Sequence, residues 1–327
     1  MKASQIKIAL KVAVKAKKPV FLWGSPGIGK SDVVRQVAHD NGLELIDVRA
    51  VLLDPVDLRG IPAINGDHKA HWCSPAFLPT EGNGILFLDE LNAAPPLVQA
   101  ACYQLVLDRK LGEYSLPPGW AVVSAGNLES DKAITHRMPS ALANRFVHLL
   151  FDVDRDDWIE WALTADVVTE VISFLRFRDN LLHSFDPKKN EKSFPTPRAW
   201  EYVSDLIKEG IPKEIEYDLI SGAVGEGAAA EFVGFLQVYR KLPDPDLVLA
   251  DPNNAPVPED PATLYAICGA LARRASNQTV INLLKYANRL PDEFSVVLIK
   301  DSKNYNPDIT FSRGFIEWVS KHKDVLI

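Results

Sequence analysis

The sequence predicts an α/β protein in which a five-stranded, mostly parallel sheet flanked by helices is followed by helical segments. Two observations carry this. Five short apolar runs, at residues 19–23, 43–48, 84–88, 120–125 and 146–151, alternate with stretches of helical period up to about residue 152. Strands that alternate with helices in this way build parallel sheets covered on both faces. From residue 154 to about residue 239 the strand-like runs stop. Val167, Val168, Val171, Ile172 and Leu175 then keep a helical period, as do Trp200, Val203, Leu206 and Ile207.

In chain order, residues 1–18 place Ile6, Leu10, Ala13 and Val14 on one helical face, with lysines interleaved. They read as a packed helix and not as a signal peptide. The run 19–23 is the first strand, and Val33, Val34, Val37 and Ala38 mark the helix behind it. Residues 111–119 form a compact turn, read as a hairpin inserted before the run 120–125. Trp158 and Trp161, three apart, suit helix packing. The run 222–230, rich in Gly and Ala, suits close helix packing. Residues 243–261 hold prolines at 243, 245, 252, 256, 258 and 261, which reads as an extended connector. Helices are expected at 262–273, 277–289 and 311–322. Phe294 to Ile299 reads as helix too, because Pro291-Asp292-Glu293 is a helix start. The division is therefore 1–152 for the α/β core, 153–242 for a helical domain, 243–261 for the connector and 262–327 for a small, mainly helical domain.

With 327 residues the chain suits two or three domains. Its 47% hydrophobic and 24% charged residues are those of an ordinary soluble protein, and no apolar run approaches a membrane span. A net charge of −7 disfavours nonspecific nucleic-acid binding. Cys73, Cys102 and Cys268 are few and widely spaced, which suggests reduced thiols and a cytoplasmic location.

The run 19–23 ends in Gly24-Ser25-Pro26-Gly27-Ile28-Gly29-Lys30-Ser31, with Asp32 next. This is G-x-x-x-x-G-K-[ST] between a strand and a helix, the context in which the pattern is a phosphate site. Glycines let backbone amides turn inward, and the helix adds its positive N-terminal end. Lys30 would reach the β- and γ-phosphates, and Ser31 would offer its hydroxyl to Mg²⁺.

Asp89-Glu90 end the run 84–88. Mg²⁺ keeps several waters and takes one or two carboxylates, so Asp89 is assigned to the metal. Glu90, pointing the other way, is assigned as general base for the attacking water. Asn127 ends the run 120–125 after Gly126. It is placed to meet the γ-phosphate or the lytic water, although a simple Gly-Asn turn would use the same residues.

Together these motifs resemble the AAA+ ATPases: the phosphate loop, Leu86-Phe87-Leu88-Asp89-Glu90, Ala125-Gly126-Asn127, and Met138-Pro139-Ser140-Ala141-Leu142-Ala143-Asn144-Arg145-Phe146. Asp54-Pro55-Val56-Asp57-Leu58-Arg59-Gly60 and Asp89-Glu90-Leu91-Asn92-Ala93-Ala94-Pro95-Pro96 with Gln99 are similar to the MoxR-like, dynein-related branch. So is Phe194-Pro195-Thr196-Pro197-Arg198-Ala199, which looks like its lid motif. The resemblance covers about residues 5–240.

It implies an AAA+ P-loop core with a helical lid, ATP and Mg²⁺ as ligands, and ATP hydrolysis. Asn127 would be the first sensor. Arg198 would be the second, from the lid, and Arg145 the finger that enters a neighbour's site, with Arg137 as its rival. An arginine donated between subunits makes hydrolysis depend on assembly. The resemblance implies a homo-oligomeric ring, a hexamer, acting chaperone-like on a protein client. The partner it suggests is a von Willebrand factor A domain protein. The branch commonly carries Arg where this chain has Ala93, which affects contacts made there and not the ATP site. In this branch the hairpin at 111–119 and the loop after residue 54 would face the pore or a client.

Three other readings share the core: a nucleic-acid motor or clamp-loader-like ATPase, a nucleotide-gated scaffold with slow turnover, and a small-molecule kinase. The acidic net charge weighs against the first, and Glu90 with Arg145 against the second. The third would not need Arg145 or Arg198. His68, His71 and Cys73 lie close in sequence without a fourth ligand and read as loop residues rather than a zinc site. His136 reads as a surface residue.

Overall fold

A computed structural model describes residues 1–64, 70–131, 138–189 and 191–322. The chain divides into two compact units. One comprises residues 1–154 with 186–189, and the other residues 155–185 with 190–327.

The first unit runs α1 (Ala3–Lys15), β1 (Val20–Trp23), α2 (Lys30–Asp40), β2 (Glu44–Arg49), α3 (Pro55–Arg59), β3 (Ile61–Ile64), β4 (Ala70–Cys73) and β5 (Gly84–Asp89). It continues with α4 (Pro96–Asp108), β6 (Lys110–Leu111), β7 (Tyr114–Ser115), β8 (Trp120–Gly126), α5 (Ser140–Ala143) and β9 (Val147–Leu150). Its main sheet has the order β2-β5-β8-β1-β9. All four pairings are parallel. This is the five-stranded, helix-flanked core the sequence predicts.

Side-chain alternation explains why the sheet is covered twice. Val20, Leu22, Ile85, Phe87, Ala121, Val123 and Ala125 face Ile6, Leu10 and Val14 of α1 and Val33, Val34 and Val37 of α2. The residues between them, Phe21, Leu86, Leu88, Trp120 and Val122, join Val98, Cys102 and Leu105 of α4 on the other face. A strand buried on both faces reads as a continuous apolar run, and β5 and β8 do.

The turn at 111–119 closes as a hairpin, Leu111 opposite Tyr114. A second antiparallel hairpin, with Ile61 opposite Cys73, lies where the sequence offered only a loop. Pro62 within β3 masks it, because proline cannot donate to a ladder and marks an edge strand. His71 and Cys73 sit on β4, whose residues are all exposed. His68 lies outside the described residues.

The second unit is helical: α6 (Arg155–Thr164), α7 (Thr169–Phe177), α8 (Pro197–Lys208), α9 (Glu216–Val224), α10 (Glu226–Tyr239), α11 (Pro245–Ala250), α12 (Pro261–Ala272), α13 (Val280–Ala287), α14 (Asp292–Tyr305) and α15 (Arg313–Lys321). Phe174, Trp200, Phe232 and Phe235 form an aromatic cluster. Leu264, Ile267, Leu271, Leu283, Leu298 and Trp318 anchor a second buried layer. Arg176 of α7 forms a bidentate ion pair with Asp301 of α14, with side chains only 9% and 3% exposed.

Two local expectations change. Residues 243–261 are not extended throughout. Asp244 caps α11 by accepting from the Asp246 amide, Pro245 opens it, and Val248 and Leu249 are buried. Proline at a first helical position starts a helix as readily as it breaks one. In the run 222–230, Ala228 and Ala229 are buried, but Gly222 and Gly227 face open space. Gly225 is the constrained one, at φ 83° between α9 and α10. No helix among the described residues is long and apolar enough to cross a membrane.

Candidate functional site

The carboxyl ends of β1, β8 and β5 lie side by side in the sheet, and the chain leaves each of them through a polar turn. Such ends, where the strand order reverses, are where open α/β sheets bind ligands. The order reverses at β1: the chain leaves it past β8 and β5 to β2, and returns to its other side with β9.

The β1–α2 loop is anchored at both ends. Gly24 donates its amide to the Gly126 carbonyl at 3.3 Å, extending the β1–β8 ladder by one bond. Gly29 precedes α2 at φ 92°, a conformation that side-chain-bearing residues rarely adopt. The first backbone bond into the helix runs from Val33 N to Gly29 O, at 3.0 Å. The amides of Ser31 and Asp32 come before it and have no carbonyl within the helix to meet. They and the helix dipole face the loop, where an anion is favoured.

Lys30 is 8% exposed. Its ammonium donates to the carbonyls of Gly24 at 2.7 Å and Ser25 at 3.0 Å, and to Asn127 Oδ1 at 2.9 Å. A compact cation is thus held beneath the loop by three oxygens. Ser31 Oγ donates to Asp89 Oδ2 at 2.7 Å, and the Glu90 amide donates to Asp89 Oδ1 at 2.9 Å. Hydroxyl and carboxylate so placed are hard oxygen donors within reach of one small divalent ion. Glu90 is exposed, at φ 55°. Asp32 pairs with Arg35 at the surface.

The structure therefore places two hydrogen-bonded sets at neighbouring positions of the chain: Lys30 with Asn127 and the Gly24 and Ser25 carbonyls, and Ser31 with Asp89. Arg145 lies apart, in the turn between α5 and β9, where its amide donates to the Leu142 carbonyl at 2.8 Å. Its guanidinium is exposed and has no partner among the described residues. Arg198 belongs to the second unit. It is exposed in the first turn of α8, which Thr196 caps by accepting from the Ala199 amide at 3.0 Å. Arg137 and His136 lie outside the described residues.

Two residues of this region carried no role in the sequence. Asn92, 2% exposed, donates from Nδ2 to the Asn127 carbonyl at 2.8 Å, while its Oδ1 is buried without a partner. A Cβ on Gly126 would stand 2.1 Å from that oxygen, so only glycine fits there. The other is His148. Trp23 Nε1 donates to its Nδ1 at 2.8 Å, and its Nε2 meets the Ala143 carbonyl at 2.7 Å. With Nδ1 accepting, Nε2 carries the proton, and the ring is fixed as one neutral tautomer. His148 thus links the last residue of β1 to the turn that presents Arg145. Asn92 was visible only as part of a motif. His148 stood inside an apolar run that read as strand.

No family model matches the chain. A stretch of 177 residues is 29% identical to midasin of Giardia intestinalis, covering half of this chain but 4% of midasin, so the chain spans only a small part of that relative's length. Among solved structures, NtrX of Brucella abortus in complex with ADP aligns with 99% of this chain and 68% of its own, at TM-score 0.43 and 16% identity. The RuvB Holliday junction branch migration motor of Thermotoga maritima aligns at TM-score 0.40 and 16% identity, over 82% of this chain and 80% of its own. A putative ATPase from Cytophaga hutchinsonii aligns at TM-score 0.35 and 18% identity, over 90% and 79%.

Proposed function

We propose that this chain is an AAA+ ATPase of the MoxR-like, dynein-related kind. It binds ATP with Mg²⁺ and hydrolyses it within a homo-oligomeric ring, a hexamer, to remodel or activate a protein client. The observation that carries the reading is the junction at the three strand ends. Ser31 Oγ is 2.7 Å from Asp89 Oδ2, beside Lys30 held 2.9 Å from Asn127 Oδ1.

The donor set fits a polyphosphate and a divalent cation. The loop from Gly24 to Gly29 and the amides of Lys30, Ser31 and Asp32 would cradle the phosphates, with Pro26, Gly27 and Ile28 shaping the curve. Ser31 and Asp89 would hold Mg²⁺, which supplies charge neutralisation on phosphate oxygens. Lys30 would exchange loop carbonyls for β- and γ-phosphate oxygens. Glu90 would accept a proton from the attacking water, and Asn127 would orient that water or the γ-phosphate.

Arg145 would complete a neighbouring copy's site. Residues 153–242 would serve as the lid, with Arg198 as its sensor. A von Willebrand factor A domain protein is the partner the sequence resemblance suggests. Nucleic acid is disfavoured by the acidic balance.

Lys30→Ala should abolish nucleotide binding, read by titration with a fluorescent ATP analogue. Glu90→Gln should bind ATP with near-normal affinity and lose phosphate release by a hundredfold or more. Unchanged turnover in either variant would overturn the proposal.

A further inference from the structure

Helix α1 turns two chemically different faces outward and inward. Ile6, Leu10 and Val14 are buried in the first unit's core. On another side, Ile8 and Val12 are 67% and 64% exposed, at i and i+4. Lys7, Lys11 and Lys15 flank them, within an arc of about 140° on a helical wheel. None of the three lysines has an ion-pair partner among the described residues. This is a two-sided helix whose outer side is apolar along its centre and cationic along its edge, and no residue described in its own unit covers Ile8 or Val12.

The second unit carries a surface of opposite character. Between α8 and α9 lies an open groove of about 700 Å³, with a predominantly apolar lining. Tyr202 and Leu206 line it from α8, and Leu219 and Ala223 from α9. Gly222 has nothing within 4 Å of where its Cβ would be, so the floor is left open for an incoming side chain. Glu209 and Asp218 stand on the rim without ion-pair partners among the described residues. Lys208, the one cation among the described residues that line the groove, is already engaged with Asp205 at 3.4 Å and Asp166 at 3.6 Å.

We infer that α1 of one copy docks its outer face into the α8–α9 groove of a second copy. Ile8 and Val12 enter the apolar floor, while Lys7 and Lys11 meet Glu209 and Asp218. Helix-in-groove recognition uses apolar anchors one turn apart, as here. Unpaired opposite charges at the rim fix register and speed encounter. The second copy is favoured as occupant because the chain itself supplies the complementary helix, with matched sign, apolar spacing and exposure. The contact joins different patches of the two copies, so it is heterologous and propagates into a closed ring when the rotation allows. The inference rests on the assembly part of the proposed function and not on its chemistry.

The test is self-association of the full chain by sedimentation velocity, with and without ATP and Mg²⁺. Lys7→Glu with Lys11→Glu should weaken association tenfold or more. Glu209→Lys with Asp218→Lys should do the same. All four changes in one chain should restore most of the loss, which also establishes that both altered faces still fold. Wild-type association should weaken as salt rises from 0.05 to 0.5 M, as screened rim charges require. Wild-type protein that stays monomeric at every concentration would overturn the inference, as would reversals that leave association unchanged. So would paired losses that the fourfold variant fails to recover, because the helix or groove would then serve another partner. The Lys30→Ala nucleotide titration fails or succeeds independently of these results.

Discussion

Asn92 Nδ2 donates to the Asn127 carbonyl at 2.8 Å, while Asn127 Oδ1 accepts from Lys30 at 2.9 Å. The turn after Asp89 therefore holds the residue that meets Lys30, the lysine at the end of the glycine loop. Asn92→Ala should cost about 1 kcal/mol of stability, the worth of one hydrogen bond. It should lower ATP turnover tenfold or more, with nucleotide affinity changed only a few-fold. The split between kcat and binding marks a positioning role. Equal loss in both would assign Asn92 to the fold alone.

Gly126→Ala presses on the same contact from the other side. Its methyl would fall 2.1 Å from Asn92 Oδ1 and 2.9 Å from the Phe21 ring. Overpacking of this kind costs about 1–3 kcal/mol. A drop in urea midpoint at unchanged slope would register it, and the slope check shows that the unfolded state is not what changed.

Arg145 is expected to act in another copy's site. Arg145→Ala should bind ATP normally and hydrolyse it at under a tenth of the wild-type rate. Mixed with wild-type protein, it should depress turnover by more than its share. A rate strictly proportional to the wild-type fraction would argue against donation between copies.

Asp47 on β2 gives a pH prediction. Its carboxyl is held above the usual carboxylate range by partial burial first and then by the nearby Asp89, with Arg35 and Arg49 opposing. When the folded pKa is raised, the native state binds the proton more tightly than the unfolded chain. Its effect on stability is therefore absent below both pKa values, and becomes an increasing penalty as pH rises through the window between them. Asp47→Asn should raise Tm at pH 7, and the advantage should fade as pH falls below the normal carboxylate range. A gain that is the same at acid and neutral pH would refute the charge explanation.

The Arg176–Asp301 pair is a test of the helical unit. Burial opposes the guanidinium's charge, but hydrogen bonds and charge from Asp301 outweigh it and keep the Arg176 pKa above its usual value. Arg176→Met would leave Asp301 buried without a counter-charge, at a cost of about 3–5 kcal/mol. Arg176→Met combined with Asp301→Leu should recover most of that, since replacing both partners removes the desolvation problem. Chemical denaturation of the three variants measures the coupling.

What could be read from the sequence follows from what is local. The glycine loop declares itself because φ demands, the lysine and the hydroxyl all fall within eight residues. The central strands β5 and β8 declare themselves because strands buried on both faces need unbroken apolar runs, whereas β2 and β9 are largely exposed and carry polar residues within theirs. β3 and β4 escaped because Pro62 interrupts one, and the other is four exposed residues with no buried face to set a period. α11 escaped because its one proline, Pro245, sits at a first helical position, where proline opens a helix as readily as it breaks one elsewhere. Asn92 and His148 act through partners 35 and 125 positions away, Asn127 and Trp23. No spacing rule reaches that far. Arg145 and Arg198 stand out in sequence only by family resemblance, because an exposed arginine has no local signature of its own.

Cys102 and Cys268 are buried, and that burial pushes the Cys102 thiol up to about 12 and raises Cys268 as well. Cys73 alone is exposed, at the end of β4. A maleimide dye added to the unaltered protein should therefore attach at one position, on the hairpin beside α3. Its emission would give a direct optical view of that hairpin during each round of nucleotide addition, with no cysteine to remove and none to introduce.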